Sequence, residues 1–126
     1  MYPQRLTVPI AVDASGNATA FSDLVYGQVL AVYYVVDGTN PLATDADFTI
    51  TGDVTGASII TITNIGTSSI EYLPRAATCD AAGAASLYAS GGTAVTSPVT
   101  LANERIKIVV AQGGTSKVGT LHFVIG

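Results

Sequence analysis

Charge is what this sequence has least of. Only 11% of its residues are Asp, Glu, Lys or Arg, against about 25% in an average globular domain. Residues 54–70 and 81–103 carry none at all. Because the cores of protein interfaces are depleted of Lys, Glu and Asp, these stretches are candidate contact surfaces. Basic residues are scarcer than acidic ones, five against nine, for a net charge of −4. That leaves no basic footprint for neutralising phosphates, so no nucleic-acid partner is expected. The charge is also uneven. Asp13, Asp23, Asp37, Asp45, Asp47 and Asp53 stand against Arg5 in the first half, while Arg75, Arg105, Lys107 and Lys117 stand against Glu71, Asp80 and Glu104 in the second. Such asymmetry favours contact between unlike faces of neighbouring subunits.

Tryptophan is absent, which removes the usual stacking platform of a carbohydrate-binding module. A lone cysteine, Cys79, cannot close an internal disulfide. Residues 1–5 have no apolar signal-like stretch, so synthesis in the cytoplasm is expected. The longest apolar run, residues 29–36, is far shorter than the roughly 20 residues of a membrane helix, so no membrane partner is expected.

Catalytic groups are equally sparse. His122 is the single histidine and lies in a strand pattern with no serine elbow, which argues against a Ser-His-Asp triad. Cys79 would need His122 as its base, and no thiol-enzyme signature surrounds it. Asp37, Asn40, Asp45 and Asp47 form the best candidate for cation ligands, since hard cations take several oxygens from one loop. Their spacing is not that of an EF-hand, and Asp37-Gly38 and Asn40-Pro41 are turn formers in their own right. No CxxC, phosphate-cradling loop or dinucleotide fingerprint occurs. The expectation is no enzyme, no cofactor and no metal.

What is present is β pattern. With 48% hydrophobic residues in a chain of 126, one domain can bury a core of its own. Leu6, Val8, Ile10 and Val12 alternate with Arg5, Thr7, Pro9 and Ala11, the period of a half-buried strand. Pro9 marks it as an edge. The turn cluster of residues 13–17 and a short strand at 18–21 predict a first hairpin. Residues 29–36, continuously apolar, read as a central strand covered on both faces. Adjacent Tyr33 and Tyr34 point to opposite faces of it, so both belong to its packing only if both faces are covered. Residues 48–51, 58–63 and 70–73 continue the pattern. Residues 99–101 and 106–110 form a further strand with Arg105 and Lys107 outward, and a turn at 112–115 returns residues 118–125 as its hairpin partner. Between Arg75 and Pro98 the chain is rich in Ala, Gly and Ser and reads as a long functional loop with one helical turn at most. Strands at intervals of roughly 8–14 residues with glycine-rich turns indicate a single-domain, all-β sandwich or barrel of about eight strands.

Three segments, residues 27–53 (GQVLAVYYVVDGTNPLATDADFTITGD), 74–95 (PRAATCDAAGAASLYASGGTAV) and 105–125 (RIKIVVAQGGTSKVGTLHFVI), resemble a group of small virion structural proteins of tailed bacteriophages, some of them capsid decoration or cement proteins. The resemblance implies a β-structured protein, most often a homotrimer, that binds the major capsid protein on the outside of the phage head and is therefore located on the virion. Within that expectation the contact residues are Met1, Tyr2, Pro3, Gln4 and Arg5 as an extended arm, with Tyr72, Arg75 and Tyr88 as anchors around the long loop, because Tyr and Arg dominate binding hot spots. A tail or fibre-associated protein is the alternative, and a carbohydrate-binding β module a further one.

Overall fold

The computed structural model describes residues 3–126 and contains nine strands: β1 (Gln4–Ala11), β2 (Ala18–Val36), β3 (Asp47–Gly52), β4 (Ser58–Ile62), β5 (Ile70–Tyr72), β6 (Ala76–Ala77), β7 (Thr96–Ser97), β8 (Val99–Ala111) and β9 (Val118–Ile125). Seven of them form one antiparallel sheet in the order β1-β9-β2-β8-β3-β4, with β5 also on β2, while β6 and β7 pair separately. The fold is all-β, and the sheet is not a closed barrel: β1 and β4 end it.

The sheet is organised by one long strand. Residues 18–29 of β2 pair with β8, and residues 29–36 pair with β9, with β5 joining at Val32, Tyr33 and Tyr34. Within the β8 ladder Gly27, opposite Leu101, takes a φ of 129° that other residues enter only with strain. Next to it Gln28 and Gly126 exchange two backbone hydrogen bonds of 2.8 and 2.9 Å, which start the β9 ladder. The two halves of the sheet share one core, and Tyr34 of β2 meets Phe48 of β3 edge-to-face at 5.7 Å. Full burial of each large apolar side chain such as Phe48, Phe123 or Ile50 contributes about 1.5–3 kcal/mol relative to exposure.

Both predicted hairpins turn out to be corners. β1 pairs with β9, not with β2, and β9 pairs with β1 and β2, not with β8. The turns themselves are where the sequence puts them. Asp13 Oδ1 accepts the backbone N–H groups of Ser15 and Asn17. Yet each turn carries the chain from one half of the sheet to the other, and the two crossings are locked together: Val12 N–H donates to Lys117, Ser116 N–H to Asp13 and Gly113 N–H to Gly16. Local turn chemistry fixed the bend, and pairing between distant strands chose the partner.

Two further expectations are corrected. The apolar run of residues 29–36 is not covered on both faces. Tyr34 is buried, whereas Tyr33 and Val35 are exposed, because the outer face of this half of the sheet carries no second layer. Burial raises the phenol pKa of Tyr34, and its Oη has no hydrogen-bond partner. Residues 75–98 contain no helical turn. The glycines that limit a helix there close tight turns of a small β structure instead.

Candidate interaction surface

Pro74 is buried and roots the segment that follows it. Arg75 bends back beside it, its Nη1 donating to the carbonyls of Pro74 at 2.7 Å and Leu30 at 3.4 Å. From there β6 and β7 lead out into an arm made of three short extended pieces. Thr78 N–H donates to the carbonyl of Val95, Val95 N–H to that of Ser86, and Ser86 N–H to that of Thr78, at 2.8–2.9 Å. Each piece therefore bonds to both others, a closed ring of three backbone hydrogen bonds. Thr78 Oγ1 adds a bond to Val95 O at 3.1 Å.

The turns between the pieces follow from their sequence. Asp80 Oδ1 accepts from Ala82 and Ala84, and Gly83 N–H returns to Asp80 O, a side-chain-capped turn. At the second turn Gly92 N–H donates to Ala89 O, and Tyr88 N–H to Thr93 O. Small residues let three backbones approach this closely, but they bury little apolar area. Ordering each residue costs about 1–2 kcal/mol, and each hydrogen bond returns a net 0.5–1.5 kcal/mol. The arm is thus the part of the fold with the least stabilisation of its own. Nearly all of residues 75–93 are exposed, including Cys79, Leu87 and, at 76% exposure, Tyr88.

A groove of about 520 Å³ opens at the root of the arm, between residues 58–61 of β4 and residues 73–76. β4 pairs with β3 alone, so its other edge faces this groove.

The remaining outer surface holds two arrangements the sequence did not reveal. On β2, beside β8, Phe21, Leu24 and Tyr26 lie exposed. The Arg105 guanidinium covers Phe21 at 4.1 Å and pairs with Asp53 at 3.0 Å, and the Tyr26 hydroxyl donates to Asn103. A register slip between Phe21 and Leu24 breaks the period of two, which hid this grouping. Across β1, β9, β2 and β5 runs a row, Thr7, His122, Tyr33 and Glu71. Thr7 Oγ1 and His122 Nδ1 are 3.1 Å apart, and a hydrogen bond to Glu71 raises the Tyr33 phenol pKa. Only the strand order, not any local motif, assembles these four.

Of the expected contact residues, Arg75 and Tyr88 belong to the arm, and Tyr72 lies half-buried in β5 just before it, packed on the core. Gln4 and Arg5 are strand residues of β1 opposite Ile125 and Val124, and Pro3 precedes them, exposed. Met1 and Tyr2 lie outside the described residues. The acidic loop does not gather as a cation site. Asp37 Oδ2 accepts from Thr39 and Asn40, contacts that lower its pKa; Asp47 Oδ1 accepts from Asn64; Asp45 is exposed in a turn. Among the described residues no three His, Cys, Asp or Glu side chains are grouped to hold a metal.

A structural carboxylate sits elsewhere. Glu104, buried in β8, accepts the backbone N–H groups of Val54 and Thr55 at 3.0 and 3.1 Å and the Thr55 hydroxyl, pinning the β3–β4 turn. These bonds, that of Thr55 foremost, lower its pKa although burial opposes them.

No protein family matches the sequence, and no curated protein matches it. Among solved structures, a crystal structure of FLHE aligns with 98% of this chain and 96% of its own at a TM-score of 0.43 and 11% identity. At that level the likeness carries no functional argument. The expectation of a phage capsid decoration protein is corrected: no virion protein family and no curated virion protein matches the sequence, and the structure it aligns with is FLHE. The physical reason lies in the motifs that carried it. Residues 37–41 form a turn capped by Asp37, and residues 74–78 form the root of the arm. Turn chemistry of this kind is open to any β protein.

Proposed function

We propose that this chain is a non-catalytic assembly domain that associates with copies of itself through the arm of residues 75–98. The observation that carries this reading is the arm's construction: an ordered, exposed structure without a core, uncharged from residue 81 onward, with Leu87 and Tyr88 turned to solvent. A contact that covers it supplies the burial it lacks, and charge-free surface of this kind associates without desolvating ions. Tyr88 is its anchor, since a tyrosine buries a large area with two rotatable bonds. The sparse catalytic groups support the same reading. His122 bonds to Thr7 on the open face of the sheet, and Cys79 sits on the arm opposite Ala85.

Light scattering over a concentration series tests it. The chain is expected to show a mass above that of its 12.8 kDa monomer, and Leu87→Ser with Tyr88→Ser is expected to return it to the monomer with the sheet intact. A wild-type chain that remains monomeric throughout overturns the proposal.

A further inference from the structure

The two edges of the sheet are treated differently. β1 carries Pro9 and Arg5, devices that keep other strands from adding to an edge. β4 carries neither proline nor charge; its register against β3 is regular from Ile60 to Ile62 and slips once, at Ile59. The groove of about 520 Å³ lies along it. Four consecutive residues of β4, 58–61, line this groove, and β4 has no strand partner besides β3. A four-residue strand is about 13 Å long, occupies about 4.8 Å of sheet width and about 10 Å of depth, a volume of roughly 600 Å³. The groove is therefore of the size of one short added strand.

Its far wall is of another kind. Pro74 has no N–H to offer, and its carbonyl already accepts from Arg75. That wall presents side chains instead: Leu73, 57% exposed, and Arg75. Arg75 is the single charged residue lining the groove. Its Nη1 is held by two carbonyls, which fixes the guanidinium while leaving Nε and Nη2 to bond elsewhere, and among the described residues it meets no carboxylate. A pre-positioned, uncompensated guanidinium at the side of an unpaired strand edge is complementary to one negative charge at the end of an extended chain.

We infer that the groove between β4 and residues 73–76 is a docking site for the carboxyl-terminal segment of a partner protein, which adds as a strand to β4, lays an apolar side chain on Leu73 and places its terminal carboxylate on Arg75. This site goes beyond the assembly reading and does not depend on it: the two share only Arg75 and Ala76 at the root of the arm, and the assembly anchors Leu87 and Tyr88 do not line the groove.

The test uses the full ¹⁵N-labelled chain and an acetylated hexapeptide alternating threonine and valine with a free carboxyl terminus, beside the same peptide as its carboxamide. The free acid is expected to shift amide resonances of residues 58–62 and 73–76. The carboxamide is expected to bind at least about tenfold more weakly, since a charge-assisted bond is lost. Arg75→Gln is expected to abolish that difference with the rest of the spectrum unchanged. Raised salt is a second readout on the unaltered chain, weakening the acid but not the amide. Equal binding of the two peptides, shifts that map to other strands, binding of the arm of a second copy in the groove, or no binding of the acid would each overturn the inference.

Discussion

Replacing Gly27 by alanine tests the close approach of β2 to residue 126 at the start of the β9 ladder. Two costs add at this position. The φ of 129° lies in a region alanine enters only with strain, about 1–3 kcal/mol for such a residue. In addition, an alanine Cβ would stand 2.8 Å from the carbonyl oxygen of Gly126, a backbone atom that cannot rotate away. Relieving that clash shifts residue 126 and weakens the paired bonds between Gln28 and Gly126, each contributing a net 0.5–1.5 kcal/mol. Together these give a loss of about 2–6 kcal/mol, a large share of the roughly 5–15 kcal/mol that holds an ordinary domain. Urea unfolding followed by circular dichroism measures it. Gly38→Ala is the control: Gly38 has no positive φ, and nothing lies within 4 Å of an added Cβ, so that change is expected to be neutral or stabilising by up to about 1 kcal/mol. A Gly27→Ala chain within about 0.5 kcal/mol of its parent would refute this reasoning.

Two more outcomes follow from buried polar groups. Glu104 is held ionised by its donors, so its folded pKa lies below the unfolded one. The unfolded chain then binds the proton more readily in acid, and the stabilisation is present above the ordinary carboxylate pKa and lost as pH falls through the folded value. Urea midpoints between neutral pH and pH 3 are expected to fall less in Glu104→Gln than in the parent; an equal fall would contradict the role given to this carboxylate. Tyr34→Phe removes a buried hydroxyl that has no hydrogen-bond partner, and is expected to leave stability unchanged or raise it by about 1 kcal/mol; a loss above about 1 kcal/mol in the same assay would contradict that reading.

How much of this was legible in the sequence depends on range. The alternation of Leu6, Val8 and Ile10, the edge proline Pro9 and the outward Arg105 and Lys107 are local properties, and they give β1 and β8 correctly. Partner choice is not local. The turns of residues 13–17 and 112–115 look like hairpin turns, and only the locking of one against the other makes them corners. The same holds for Gly27, an ordinary glycine until Gly126 is placed beside it, and for Glu104, one more acid until Val54 and Thr55 close on it. The loop of residues 75–98 is legible as small-sided and, from residue 81 onward, uncharged, which singles it out as a contact surface. Its three-way ring is not, because Thr78, Ser86 and Val95 carry no pairing signal. Arg75 stood out there by residue type alone, and its place at the side of a groove along β4 depends on the fold.

Hydrogen exchange of the backbone amides of Thr78, Ser86 and Val95, measured by NMR at increasing protein concentration, tests the central claim most directly. An arm whose hydrogen-bonded ring is stabilised by assembly is expected to open often and exchange rapidly in dilute solution and to become protected as the chains associate, while the β8 and β9 amides stay protected throughout. Exchange of the three arm amides that does not change with concentration would contradict assembly through the arm.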